Sequence, residues 1–98
     1  MKKYDLPKRV EDDLAVLAKE YNAEKIILFG SRARRTNQEK SDVDIAVYGC
    51  KDFTGFSLDV EEKVWTLLTF DIVNMERNVS DELRAEIQRD GVVIYEKI

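Results

Sequence analysis

The amino-acid sequence predicts a single α/β domain. Amphipathic helical segments alternate with short apolar segments of strand type, and their order along the chain is α-β-α-β-α-β-α-β. Hydrophobic residues make up 44% of the 98 residues and charged residues 37%, which is typical of a globular domain with a strongly charged surface. A chain of this length holds one modest core, so we expect one domain over residues 1–98.

The first predicted helix spans residues 7–21, with Pro7 near its first turn. Its apolar stripe follows the helical spacing i, i+4, i+7, i+11 and consists of Val10, Leu14, Leu17 and Tyr21. The next run, Lys25 to Phe29, is apolar almost throughout. Such a run predicts a central strand that is covered on both faces.

A short helix and a second strand are predicted after Gly30, which ends the first strand. The helix is expected over residues 31–36, and a polar loop follows at residues 37–40. The second strand then begins near Asp42 and ends at Tyr48.

The third helix is expected over residues 58–68, after a loop at residues 49–55. Ser57 is the predicted N-cap, because its hydroxyl can accept from a backbone N–H of the first turn. The residues expected on or at the edge of the buried side are Val60, Val64, Trp65 and either Leu67 or Leu68.

The last quarter of the chain predicts a strand, a helix and a closing strand. Residues 69–75 alternate, with Asp71, Val73 and Met75 on one side. Ser80 is expected to cap a helix that runs through Gln88 and turns Leu83 and Ile87 inward. Gly91 ends that helix, and residues 92–95 form the closing strand.

Charge and residue usage exclude several kinds of site. The formal net charge of −4 argues against general affinity for nucleic acid. Cys50 is the only cysteine and there is no histidine, so an internal disulfide, a cysteine zinc cage and histidine-based catalysis are excluded. Because no apolar run approaches the roughly 20 residues that span a bilayer, we expect a cytoplasmic protein.

Two carboxylates, Asp42 and Asp44, stand at the start of the second predicted strand. Side chains at i and i+2 of a strand share a face, about 6–7 Å apart, so both can contact the same cluster of ions. Two divalent cations stabilise the attacking and leaving oxygens of a phosphoryl transfer, and Asp71 is the candidate third ligand. An aspartate pair alone is more often a solvated turn or a helix-capping device.

Gly30 and Ser31 form a turn between a strand and a helix, eleven positions before Asp42. The glycine lets the backbone approach a phosphate closely, and the helix N-terminus and the Ser31 hydroxyl supply donors. The Walker P-loop spacing is absent, and a Gly-Ser pair alone is more often a simple turn.

The combined pattern resembles the nucleotidyltransferase superfamily related to DNA polymerase beta. Gly30-Ser31-Arg32-Ala33-Arg34, the segment 41–47 and Asp71 carry the resemblance, which covers nearly the whole chain and is closest to the minimal nucleotidyltransferase (MNT) branch. The resemblance implies a mixed four-stranded sheet backed by helices, two Mg²⁺ ions and ATP as substrate. It identifies Asp42, Asp44 and Asp71 as catalytic metal ligands, and Gly30 and Ser31 as the phosphate-binding pair.

Three arginines follow Ser31. Arg32 and Arg34 are candidates for binding the nucleotide and steadying its negative charge, although together with Arg35 they could form only a solvated cationic face. Position 35 departs from the pattern, because such proteins often have glycine where this chain has Arg35. That residue could alter the turn after the short helix.

The resemblance also implies a partner protein. Because the sequence ends soon after its fourth predicted strand, we expect the acceptor to be presented in trans. In the MNT branch the usual partner is a helical HEPN toxin, and the MNT protein is an antitoxin that adds AMP to a tyrosine hydroxyl of that toxin. Two alternatives stay open: a module that neutralises its partner by contact, and a small-molecule nucleotidyltransferase like the antibiotic-modifying enzymes.

Overall fold

A computed structural model describes residues 3–98 of the chain, and residues 1 and 2 of the predicted domain lie outside that range. Helices and strands alternate in the predicted order. They are α1 (Lys8–Glu20), β1 (Lys25–Phe29), α2 (Gly30–Arg34), β2 (Val43–Tyr48), α3 (Phe53–Lys63), β3 (Phe70–Asn74), α4 (Asp81–Asp90) and β4 (Val92–Glu96). In residues 3–98, no helix has both the length and the apolar character needed to cross a membrane.

The four strands form one mixed sheet, which confirms the predicted fold class. Their spatial order is β3-β2-β1-β4, so β3 and β4 are the edge strands. β1 runs antiparallel to β2 and to β4, whereas β2 and β3 are parallel. The carboxyl end of β1 therefore lies at the same margin of the sheet as the first residues of β2, β3 and β4.

Helices cover both faces of the sheet. On one face, α1 and α3 pack against alternate strand residues; this larger cluster includes Leu14, Leu17, Ile26, Leu28, Ile45, Val47, Phe56 and Val60. On the other face, α4 places Ile87 against Phe29, Ala46 and Met75. Because β1 and β2 contribute side chains to both clusters, the prediction of a central strand covered on both sides is confirmed.

The third helix begins and ends about five residues earlier than predicted. Its N-cap is Asp52, whose carboxylate accepts a hydrogen bond from the Gly55 N–H at 3.1 Å. Ser57 therefore lies inside the helix, and the predicted capping role was wrong. The helix ends at Lys63, because Val64 already has extended backbone angles.

This early end changes the environment of the following segment. Val64 still packs into the core, and Leu68 lies partly buried against it. Trp65 and Leu67 do not, since their exposed fractions are 81% and 103%. The expectation that Trp65 lies at the edge of a buried helix face was wrong, because the helix that would have carried it is already over.

The last helix follows the prediction. The Ser80 hydroxyl accepts a hydrogen bond from the Leu83 N–H at 3.1 Å, which confirms the cap. Gly91 ends the helix, but with an ordinary φ of −66°. A Cβ at this position would overlap the Ile87 carbonyl oxygen and lie 2.6 Å from Ile27 Cγ2, so close packing explains the glycine.

Candidate active site

The structure brings the three predicted carboxylates to one face at one margin of the sheet. Asp44 in β2 is the register partner of Asp71 in β3, and on its other side it pairs with Phe29, the last residue of β1. Asp42 stands two residues before Asp44, just ahead of β2, and is close enough for its charge to raise the pKa of Asp44. Asp44 is half-buried, whereas Asp42 and Asp71 are exposed.

Gly30 lies against the Asp44 carboxylate. A Cβ at Gly30 would overlap Asp44 Oδ2 and would lie 3.1 Å from the Asp44 carboxyl carbon. The residue also has a φ of +75°, which L side chains rarely adopt. Contact and conformation thus both require glycine here, and the start of α2 is held next to the carboxylates.

Negative charge is concentrated around Asp44. The pKa of its carboxyl is raised to about 6, chiefly by burial and then by the charges of Asp71, Asp42 and Glu86, while the charge of Arg34 lowers it. A cation that binds among neighbouring carboxylates reduces their mutual repulsion and lowers the raised pKa. The site therefore favours a positively charged ligand.

Arg34 joins α2 to the carboxylates of α4. Its guanidinium forms ion pairs with Asp90 Oδ2 at 3.4 Å and with Glu86 Oε2 at 3.8 Å. Glu86 was not singled out in the sequence. Its position three residues after the inward-facing Leu83 was the available signal, because residues at i and i+3 of a helix are neighbours.

Arg32 has a different environment from the one predicted. Its side chain is only 2% exposed, and its guanidinium donates to the carbonyl oxygens of Ser41 and Asp5, each at 3.1 Å, and of Glu39 at 2.9 Å. These contacts hold the loop before β2 and the segment before α1 together. Arg32 is thus placed as a structural residue rather than at the carboxylate face.

Arg35 adopts the left-handed conformation, with φ 61° and ψ 32°, at the C-cap of α2. The turn is closed by the Thr36 N–H, which donates to the Ser31 carbonyl oxygen at 2.9 Å. The departure from glycine at this position therefore leaves the turn in place, at a conformational cost that glycine would not incur.

Thr69 was not anticipated at the site. Its hydroxyl donates a hydrogen bond to Asp42 Oδ1, and its carbonyl oxygen accepts from the Val43 N–H at 2.9 Å. Both contacts fasten the entry of β3 to the entry of β2. A lone threonine before a strand carries no signal by itself, because the partnership arises only from the parallel pairing.

The aspartates fit a hard divalent cation by donor type and by charge, since Mg²⁺ prefers carboxylate oxygens. The negative charge that raises the Asp44 pKa supports the same fit. Within residues 3–98, however, no three acidic or cysteine side chains are arranged so that they could hold a metal ion as they stand.

Comparisons with known proteins agree with this geometry. The family described as Polymerase beta, nucleotidyltransferase matches residues 12–98. The fold is similar to that in a crystal structure of a toxin-antitoxin with AMP-PNP and to that in a mutant of the toxin-antitoxin MntA-HpeT. Each match has 20% identity and a TM-score of 0.68 and covers 89% of this chain and 73% of the other.

A third solved structure, described as a minimal nucleotidyltransferase, has 26% identity and a TM-score of 0.62. That match covers 84% of this chain and 86% of the other chain. No curated protein matches the sequence.

Proposed function

The chain belongs to the polymerase beta nucleotidyltransferase family, and from this premise we propose that it transfers AMP from ATP to a hydroxyl of a partner protein. The observation that carries the proposal is the pairing of Asp44 with Asp71, beside the backbone of Gly30. This arrangement sets a carboxylate pair next to the turn at the buried Gly30, where α2 begins.

Asp42, Asp44 and Asp71 would hold two Mg²⁺ ions. When bound, these ions neutralise the carboxylates and polarise the phosphate oxygens. Gly30 keeps side chains away from the place where the triphosphate would lie, and the Ser31 hydroxyl supplies a donor to it. Arg34 lies near enough to lower the pKa of Asp44, so it would also steady negative charge on the nucleotide.

The proposed reaction joins the acceptor oxygen to the α-phosphorus. The bond between the α-phosphorus and its bridging oxygen breaks, and pyrophosphate leaves. Asp71 would take the acceptor proton, because it is exposed whereas Asp44 is half-buried between two strands. An incoming hydroxyl can therefore approach Asp71 from solvent.

We propose a HEPN-type helical toxin as the partner, modified on a tyrosine hydroxyl, with this chain as its antitoxin in the cytoplasm. Two similar solved structures are described as toxin-antitoxin proteins, and one of them contains AMP-PNP. These likenesses support a toxin as the partner and ATP as the nucleotide.

A contact-only antitoxin is the second candidate. It is favoured by the hydrogen bond that engages Asp42 with Thr69 and by the lack, among residues 3–98, of carboxylates already arranged to hold a metal. Such a module would neutralise its partner without ATP. Small-molecule transfer is the remaining alternative, and it would leave the partner unmodified.

Intact-mass measurement separates these candidates. The chain is incubated with Mg²⁺, ATP and the helical protein encoded by the adjacent gene, beside an Asp44→Asn variant and an Asp12→Asn control on the distant helix α1. AMP transfer predicts a gain of one or more AMP units on the partner with the wild type and with Asp12→Asn, but not with Asp44→Asn. Toxin neutralisation without any mass gain would overturn the transfer proposal and support the contact module.

A further inference from the structure

The outer face of α3 and the segment after it present large apolar side chains to solvent. Leu58, Trp65 and Leu67 are 57%, 81% and 103% exposed, and Trp65 is the only tryptophan of the chain. Exposed tryptophan and leucine close together along a chain are typical of an interaction surface. We call Leu58, Glu61, Glu62, Trp65 and Leu67 the α3-end surface.

The acidic residues of this surface lie where they destabilise the helix that carries them. Glu61 and Glu62 are exposed in the last turn of α3, where the helix dipole disfavours negative charge. Neither forms an ion pair with another residue of the range 3–98, whereas the neighbouring Lys63 pairs with Asp59 at 3.3 Å. The α3-end surface thus combines exposed apolar side chains with unpaired negative charge, which complements a partner surface of apolar side chains and lysine or arginine.

The α3-end surface leads directly into the carboxylate margin of the sheet. Thr69, two residues after Leu67, hydrogen-bonds Asp42, and Asp71 is four residues after Leu67. Four residues span at most about 14 Å. A standard interface covers about 800 Å² on each partner, equivalent to a disc of about 16 Å radius. Since α3 covers the face of the sheet opposite to the carboxylates, a partner must wrap around this margin to contact both Leu67 and Asp71, and one interface centred on Leu67 is wide enough to do so.

We propose that the α3-end surface docks the acceptor protein and thereby brings the acceptor hydroxyl to Asp71. The occupant is a protein that presents apolar side chains and lysine or arginine. The inference rests on the proposed function, because the occupant is the protein that receives AMP. A protein that delivers a hydroxyl to Asp71 must cover this margin of the sheet, and the nearby surface offers it apolar anchors and negative charge.

The test compares exposed apolar positions. A Trp65→Ser/Leu67→Ser double variant is assayed with the same adjacent-gene protein, beside Val16→Ser, which alters an apolar side chain that is 56% exposed on α1. Docking predicts at least a tenfold rise in the KM for the partner in the double variant, with kcat retained at saturation. Val16→Ser should leave both constants unchanged. A Glu61→Lys/Glu62→Lys variant should raise KM as well, and Glu20→Lys on α1 should not.

Binding is read independently of chemistry from the single tryptophan. With 5-fluorotryptophan at position 65, the ¹⁹F resonance should shift when the partner is added without ATP. One outcome is that no AMP is transferred, although the resonance shifts and the double variant binds the partner more weakly. That result would support docking and overturn the proposed reaction. If the wild type and the double variant transfer AMP with the same KM, docking is overturned while the reaction stands. A resonance that moves with chain concentration alone, or that ignores the partner, also overturns the proposal.

Discussion

The Asp44 carboxylate lies directly against the Cα of Gly30, so no side chain can stand between β2 and the start of α2. This contact joins two sequence segments that separately would be ordinary turns. It also makes the glycine necessary for two reasons, its positive φ and the room that the carboxylate takes. Substitution of Gly30 should therefore affect both the stability of the protein and the position of the Asp44 carboxylate.

Gly30→Ala should destabilise the protein by about 2–4 kcal/mol, because it adds left-handed strain to a steric overlap with Asp44. Urea unfolding of the variant would measure the loss. Gln88→Ala, at an exposed position of α4, is the matched control and should change stability little. A Gly30→Ala protein as stable as the wild type would mean that Asp44 can move away from this backbone at no cost.

Asp44→Asn should remove a pH dependence from the stability of the metal-free protein. The pKa of Asp44 is raised from 3.8 to about 6, so the stability that protonation supplies is fully present below pH 3.8 and is lost as the pH rises through 6. After allowance for solvent screening of this half-exposed group, the loss is about 1 kcal/mol. Urea unfolding of both proteins at pH 4, 5, 6 and 7.5 should show the difference growing with pH, whereas parallel curves would contradict the shifted pKa.

Arg32 and Arg34 should respond differently to substitution. Arg32→Lys loses the fork that reaches three carbonyl groups and should cost about 2–4 kcal/mol of unfolding free energy. Arg34→Ala leaves the buried contacts intact and should change stability little, while it lowers AMP transfer through weaker charge stabilisation. Thermal unfolding together with the mass assay checks both. Equal stability losses for the two variants would contradict the assignment of a structural role to Arg32 alone.

Arg35→Gly should stabilise the protein by about 0.5–1 kcal/mol. Glycine removes the left-handed strain at φ 61°, although its flexible unfolded chain offsets part of the gain. The stability of Arg35→Asn should lie between those of the wild type and Arg35→Gly, since asparagine tolerates this conformation. Asn22 already adopts it, with φ 57°. If both variants unfold more easily than the wild type, contacts of the Arg35 side chain outweigh the backbone strain.

Local patterns predicted most of the fold. The apolar run at β1 and the hydroxyl cap at Ser80 agree with the structure, because strand burial and helix capping depend on neighbouring residues. The error at α3 arose from two competing caps. Asp52 and Ser57 each precede a segment that can start a helix, and burial of Phe56 in the core accompanies the earlier start.

The site was less predictable, because its contacts join distant segments. The alternation of residues 69–75 placed Asp71 on one face, but only the parallel register shows that Asp44 is its partner. The burial of Arg32 depends on carbonyl groups from two other segments, and no local pattern distinguishes it from the exposed Arg34.

The parallel pairing of β2 with β3 also bears on how the chain folds. Asp44 and Asp71 are 27 positions apart in the sequence, and the helix α3 must cross over before their strands can meet. Such non-local pairing is slow compared with helix or hairpin formation. Docking of β3 onto β2 and assembly of the carboxylates are therefore the same step, and repulsion among the three aspartates opposes it. A nascent chain in which β3 has not yet docked does not have this carboxylate face, so the proposed transfer requires that β3 has docked.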